Sequence, residues 1–176
     1  MEKMFRILFF LLIMSSFSQT TIPVGTWSGD MEFYPSGPKK KLGAEIFISP
    51  LSGDSVYQWR LTYIIHHKDS IQKDIRNYEL HIGKDGRVWM DEKNSILIHG
   101  QLLNNKIVFL FDVNDVRIFT QYYWNSQELT MEHVAFSNMK SYFSGGTIMD
   151  KDTIPSVTSY KAFSRQWAIM HKKKHR

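Results

Sequence analysis

Cysteine is absent from the 176 residues, so no disulfide can brace the fold and its core must hold it alone. Long hydrophobic runs are missing as well. The longest, Ile7 to Met14, falls well short of the roughly 20 apolar residues that a membrane-spanning helix needs. With no cysteine after that run, a lipid anchor of the bacterial lipoprotein kind is excluded. An excess of one charge is only apparent. Removing Glu2, Lys3 and Arg6 at the start, and Lys172, Lys173, Lys174 and Arg176 at the end, from the 22 basic and 17 acidic residues leaves 16 of each. A basic balance that resides in a tail argues against a nucleic-acid-binding face, which needs clustered charge across the domain. Helical periodicity is also lacking, since no window keeps apolar residues at a spacing of 3.6 before about the last twenty positions.

What is present begins with an export signal. Lys3 and Arg6 make a basic start, Ile7 to Met14 an apolar stretch, and Ser16-Phe17-Ser18 a small-residue cleavage site, the three parts of a secretory signal. Residues 1–18 are therefore expected to be removed and the mature chain to start near Gln19, exported to the periplasm or beyond. What remains suits one domain, expected to span 19–170 with a basic tail, 171–176. That tail is expected to fray and to make at most weak contact with an anionic surface.

Strand patterns fill the domain. Trp27, Met31 and Phe33 alternate with polar residues, as do Tyr57, Trp59, Leu61, Tyr63 and Ile65, the period of a strand with one buried face. Turn pairs then recur at Asp85-Gly86, Lys93-Asn94, Asn104-Asn105, Asn114-Asp115 and Asn125-Ser126, which describes an antiparallel meander. Two-residue turns fix register. They predict Tyr122 opposite Leu129, Thr120 opposite Met131, Ile118 opposite His133 and Val116 opposite Ala135. They also predict Val113 opposite Val116, Phe111 opposite Ile118, Phe109 opposite Thr120, Leu102 opposite Ile107, Gly100 opposite Phe109 and Ile98 opposite Phe111. One apolar face results, made of Ile96, Ile98, Leu102, Ile107, Phe109, Phe111, Val113, Val116, Ile118, Leu129 and Met131. Thr120, Tyr122 and His133 interrupt it, and Gly100 is expected to leave space opposite Phe109. Residues 137–155 read as a long loop at a mouth of the barrel, with Tyr142 and Phe143 as its contact residues. A last strand is expected over Val157 to Ser164, and Gln166 to His171 is a candidate for a short helix. The fold class is all-β, a single antiparallel up-and-down barrel of about 8–10 strands.

Gly25-x-Trp27-x-Gly29 at the head of an exported meander resembles the calycin superfamily of lipocalins, fatty-acid-binding proteins and nitrobindin-like barrels. Arg76-Asn77-Tyr78-Glu79-Leu80 and Asp91-Glu92-Lys93-Asn94 are similar to segments of small secreted bacterial lipocalin-like proteins. The resemblance implies a tryptophan closing one end of a barrel whose lumen holds a small apolar ligand. The Thr-Asp-Tyr motif is lacking, with Thr120-Gln121-Tyr122 the nearest stretch. The nitrobindin resemblance further implies an alternative in which haem is held through His133 as axial ligand.

Catalytic signatures do not appear. There is no Gly-x-Ser-x-Gly, and Ser144-Gly145-Gly146 lacks the strand-to-helix setting of a nucleophile elbow. Asp91 and Glu92, as neighbours on a strand, point to opposite faces and cannot flank one bond. No metal spacing links the seven histidines, and His66-His67 and His171 with His175 read as solvated residues. The chain is accordingly expected to be neither an enzyme nor a metal or cofactor protein. It reads as a binding module for a small apolar or amphipathic ligand, contacted by Thr120, Tyr122, His133, Phe109, Phe111, Ile118 and Met131. The alternative is a structural or interaction protein whose barrel is filled by its own side chains.

Overall fold

The structure is a computed structural model that describes residues 21–34, 40–149 and 152–174. The signal segment 1–18, the proline-rich break at 35–38, and His175 and Arg176 lie outside the described residues. Among the described residues twelve strands follow one another: β1 Gly25–Tyr34, β2 Lys40–Ser52, β3 Val56–His66, β4 Ile71–Ile82, β5 Arg87–Asp91, β6 Leu97–Leu102, β7 Lys106–Val113, β8 Val116–Trp124, β9 Glu128–Ser144, β10 Ile148–Met149, β11 Asp152–Thr153 and β12 Val157–Lys172. Ten of them close into an antiparallel barrel in which each strand pairs with its neighbour in sequence, and β12 returns between β9 and β1. β10 and β11 form a separate two-stranded ladder. Closure removes the sheet edges that an open meander would expose. Among the described residues no helix is long and apolar enough to cross a membrane.

The Asn114-Asp115 turn sets the expected register, with Phe111 opposite Ile118 and Asp112 opposite Arg117. Asn114 takes the positive φ of 50° that asparagine tolerates in tight turns. Asn104-Asn105 does the same for Leu102 with Ile107 and Gly100 with Phe109. There the ladder stops, so the expected pairing of Ile98 with Phe111 does not form.

At Asn125-Ser126 the pairing is displaced by two residues. Trp124 faces Leu129, Tyr122 faces Met131, Thr120 faces His133 and Ile118 faces Ala135. The cause is local: Asn125 Oδ1 accepts bonds from the Gln127 and Glu128 amides at 2.8 Å each, and the Asn125 amide bonds Glu128 O at 2.9 Å. The turn thus closes over Ser126-Gln127. A slip of two keeps every side chain on its face, so the inward set survives with its depths changed. At Asp85-Gly86 the loop has three residues, closed by the Gly83 amide on Arg87 O at 2.7 Å, with Gly86 at φ 78°.

One end of the barrel is solid. Trp27 is 1% exposed and its Nε1 donates to Pro23 O at 2.8 Å, while Trp124 Nε1 donates to Thr21 O at 3.0 Å. Residues 21–24 are thereby drawn across this end, with Ile22 buried beneath them. Behind this plug, Met31, Ile46, Ile48, Trp59, Leu80, Ile107, Leu129, Met131 and Met170 are buried together in one hydrophobic core. Gly29 has a steric reason: a Cβ there would run into the Ile169 carbonyl of β12.

The C-terminal third departs most from expectation. Residues 137–155 are not a loop, because β9 runs on to Ser144 and pairs with the start of β12, Ser144 opposite Val157 and Phe143 opposite Thr158. The result is a two-stranded arm that carries Met139 and Phe143 each 76% exposed. Between Val116 and Gly145 only Asn125-Ser126 offers a turn, so nothing in the chain stops β9 where the barrel ends. Gln166 to His171 is strand rather than helix. Ala168 and Met170 are fully buried and alternate with Trp167 and Ile169, the period of a strand. The basic run begins inside the barrel, with Lys172 paired to Trp27, the Lys173 amide bonded to Thr26 O at 2.8 Å, and Lys173 Nζ 2.5 Å from Glu45 Oε2.

Candidate functional site

Beyond the plug the barrel opens into a cavity of about 840 Å³. Its space follows from residue size. At the closed end the inward pairs of β9 and β12 are Leu129 with Met170 and Met131 with Ala168, whereas towards the open end they become His133 with Gln166 and Ala135 with Ser164. Ala135 and Ser164 are too short to reach the barrel axis. Leu61, Met90, Ile98, Phe109, Phe111 and Ile118 provide the apolar wall.

The polar groups fall at two depths. Deeper in, the Thr120 hydroxyl and His133 Nδ1 lie 2.8 Å apart. The edge of one ring meets the face of the other between Tyr122 and His133, with centroids 5.8 Å apart, and likewise between Trp59 and Tyr122 at 4.9 Å. His133 Nε2 is shielded from solvent and has no hydrogen-bond partner. Desolvation pushes the His133 pKa down to about 4, the nearby Arg76 charge adds to the effect, and Glu132 opposes it. The imidazole is therefore neutral near pH 7. Burial likewise raises Tyr122 well above the ordinary phenol range, so this layer carries no formal charge.

Nearer the mouth, the Tyr63 hydroxyl donates to Gln166 Oε1 at 3.3 Å, and burial pushes the Tyr63 pKa up to about 12. The Arg76 guanidinium lies 5.3 Å from the Tyr63 ring centre and 3.4 Å from Asp74, with Tyr78 also on this wall. It is the cationic group on the cavity wall. The sequence reading missed Tyr63, Arg76, Tyr78 and Gln166 as site residues. The alternation of Arg76, Tyr78 and Leu80 with Ile75, Asn77 and Glu79 carried the signal, had β4 been aligned with the face of Tyr57, Trp59 and Leu61.

Of the residues expected to contact a ligand, Phe109, Phe111, Ile118, Thr120, Tyr122 and His133 line the cavity. Met131 does not: it is fully buried in the solid half. The displaced turn pairs it with Tyr122 instead of Thr120, which moves it about 7 Å towards the plug at roughly 3.4 Å per residue. The same displacement brings His133 beside Thr120 and creates their hydrogen bond. Ile96 and Val113 stand on the rim, half exposed, and Val116, opposite Val113, does not border the cavity. Gly100 leaves no space, because a Cβ there would lie 2.5 Å from Phe109 Cδ1 and would meet the Val108 carbonyl. The Phe109 ring already occupies the position.

The remaining candidates lie elsewhere. Tyr142 and Phe143 are exposed on the arm and touch no part of the cavity. His66 and His67 sit at the exposed β3–β4 turn, where His67 Nε2 is 3.2 Å from Gln72 Oε1. His171 Nδ1 is 4.0 Å from Glu128 Oε1. Glu79, His81 and Asp91 converge on the outer face of β4 and β5, with Lys93 Nζ among them at 3.1 Å from Glu79 and 3.6 Å from Asp91. No protein-family model matches the chain, and no curated protein matches it in sequence.

Proposed function

We propose that the protein is a binding module for a small apolar or amphipathic molecule, held in the open half of the barrel and exported with it. The observation that carries this reading is a cavity of about 840 Å³, closed at one end, with Leu61, Met90, Ile98, Phe109, Phe111 and Ile118 forming an apolar wall. That size lies within the usual range for small-molecule sites, roughly 300–1,000 Å³. The apolar wall supplies affinity, and Thr120, Tyr122 and His133 fix orientation through hydrogen bonds. No residue is assigned a catalytic role, and no nucleic-acid contact is proposed. The lipocalin-like resemblance supports the same reading.

Native mass spectrometry of protein purified from its own host tests it. A bound small molecule, weakened or lost in Tyr122→Phe and His133→Ala, is the expected result. A clean apo mass, together with failure of apolar fluorescent probes to bind, would leave the structural reading that the filled half of the barrel favours. A second ligand reading is haem held through His133, which requires the shielded, unpartnered Nε2 to turn towards the cavity. A saturable Soret shift with haemin, abolished in His133→Ala, would select it over an organic amphiphile.

A further inference from the structure

An intact antiparallel wall shows a cavity only every second residue of each strand, because neighbours point to opposite faces. Most of this barrel obeys that rule. β4 contributes only Arg76 and Tyr78, two residues apart, and β8 only Ile118, Thr120 and Tyr122. β6 and β7 break it. The cavity touches consecutive residues on both, Leu97, Ile98 and His99 on one and Phe109 through Val113 on the other. Residues of both faces can border one cavity where that cavity passes through the wall between the two strands.

The pairing agrees. β6 bonds β5 along Leu97 to Gln101, and β7 bonds β8 over its whole length, so each strand is held from its far side. Towards each other they pair only over Gly100–Leu102 and Ile107–Phe109. Beyond Gly100 they part, leaving facing edges without ladder bonds. The Phe109 ring lies over Gly100 at the junction, where even a methyl group would not fit. The lips of the opening carry large aliphatic side chains, Leu97 52% and Leu110 61% exposed, continued at the rim by Ile96 and Val113, and His99 and Asp112 also border it. Large aliphatic side chains flanking an open seam contiguous with an apolar lumen form one continuous apolar track from the interior to the surface.

We infer that the β6–β7 seam is a lateral extension of the ligand site, and that its ligand is a chain amphiphile whose uncharged polar head bonds the Thr120, Tyr122 and His133 layer while its tail leaves through the seam between Leu97 and Leu110. This rests on the ligand-binding reading and narrows it. A compact ring system would fill the lumen and make no use of the seam, whereas a single flexible chain follows the track at full length. The deep layer carries no charge, which suits a hydroxyl or ester head over an ionised one.

The absence of cysteine makes the test clean, because thiols introduced in His99→Cys/Leu110→Cys are the only ones in the chain. These positions are one residue beyond the last paired residues, Gly100 and Phe109, and a disulfide between them would tie the two edges together and close the seam. Binding of octanoyl and palmitoyl monoacylglycerol and of the compact probe 1-anilinonaphthalene-8-sulfonate is then compared in the reduced and oxidised forms. The expected result is palmitoyl affinity lowered at least about ten-fold on oxidation, since each methylene moved out of apolar contact costs roughly four-fold. Octanoyl and probe affinities should be unchanged. In Leu97→Ser/Leu110→Ser, which alters only exposed side chains and needs no disulfide, the palmitoyl compound should weaken while the octanoyl one does not. Equal palmitoyl affinity with the seam open and closed would overturn the inference, as would binding of the probe without binding of either monoacylglycerol. In both cases the ligand-binding reading stands. No binding of any of the three to the reduced protein would remove both.

Discussion

Acidification should act on this barrel through one imidazole before most others. His133 is held neutral by burial, with its pKa pushed from 6.5 to about 4, while in the unfolded chain it titrates at its ordinary value. Between those limits the unfolded state binds a proton that the folded state refuses, so stability is full above pH 6.5 and falls as the pH drops towards 4. The size of the loss is the gap between 6.5 and about 4 at roughly 1.4 kcal/mol per pKa unit, on the order of 3 kcal/mol. Carboxylates titrate over part of the same range, so the measurement must be a difference. Urea unfolding of wild type and His133→Gln at a series of pH values supplies it. Glutamine cannot be protonated, and the stability of wild type relative to the variant should fall by about that amount from pH 6.5 to 4 and then level off. A difference that stays flat across the window would refute the reasoning, as would an NMR titration of the His133 ring with a midpoint near 6.5 in the folded protein.

Three further outcomes follow from the geometry. Gly29→Ala places a methyl group against the Ile169 carbonyl, a backbone atom that cannot rotate away, and overpacking of this kind costs about 1–3 kcal/mol; calorimetry should show a melting temperature several degrees lower, and an unchanged one would mean that β1 and β12 separate freely. Deleting 171–176 removes the pairing of His171 and Lys172 with β1 and the Lys173 bond to Thr26, each backbone bond worth about 1 kcal/mol, whereas deleting only 174–176 should leave the thermal midpoint unchanged. Replacing 145–155 with a short Gly-Asn turn should not alter unfolding by urea, since the described residues of that tip whose burial is known are exposed, and a loss of more than about 1 kcal/mol would show that the tip contributes to the barrel.

Much of the fold was legible because its signals are local. Alternation in Trp59, Leu61 and Tyr63 marks strands and their buried face, and pairs led by an asparagine mark the turns of β6 to β9. Parity alone assigned Phe109, Phe111, Ile118, Thr120, Tyr122 and His133 to the interior, since a strand side chain has only two faces to choose between. The arm was misread for the same reason, in that a glycine pair and an interval without turns look like a loop until a second strand is seen beside them.

Depth along the barrel was not in the sequence. A two-residue displacement at Asn125 leaves the alternation pattern identical, yet it sends Met131 to the plug and sets His133 against Thr120, so only the turn's hydrogen bonds could decide it. Whether the lumen is filled depends on which inward residues meet at one level: Ala135 faces Ser164 and leaves space, while Leu129 faces Met170 and leaves none. Arg76 gains its place only when β4 pairs with β3, and the seam between β6 and β7 exists only because each strand is held from the far side. These are contacts between residues distant in the chain, and local periodicity carries no information about them.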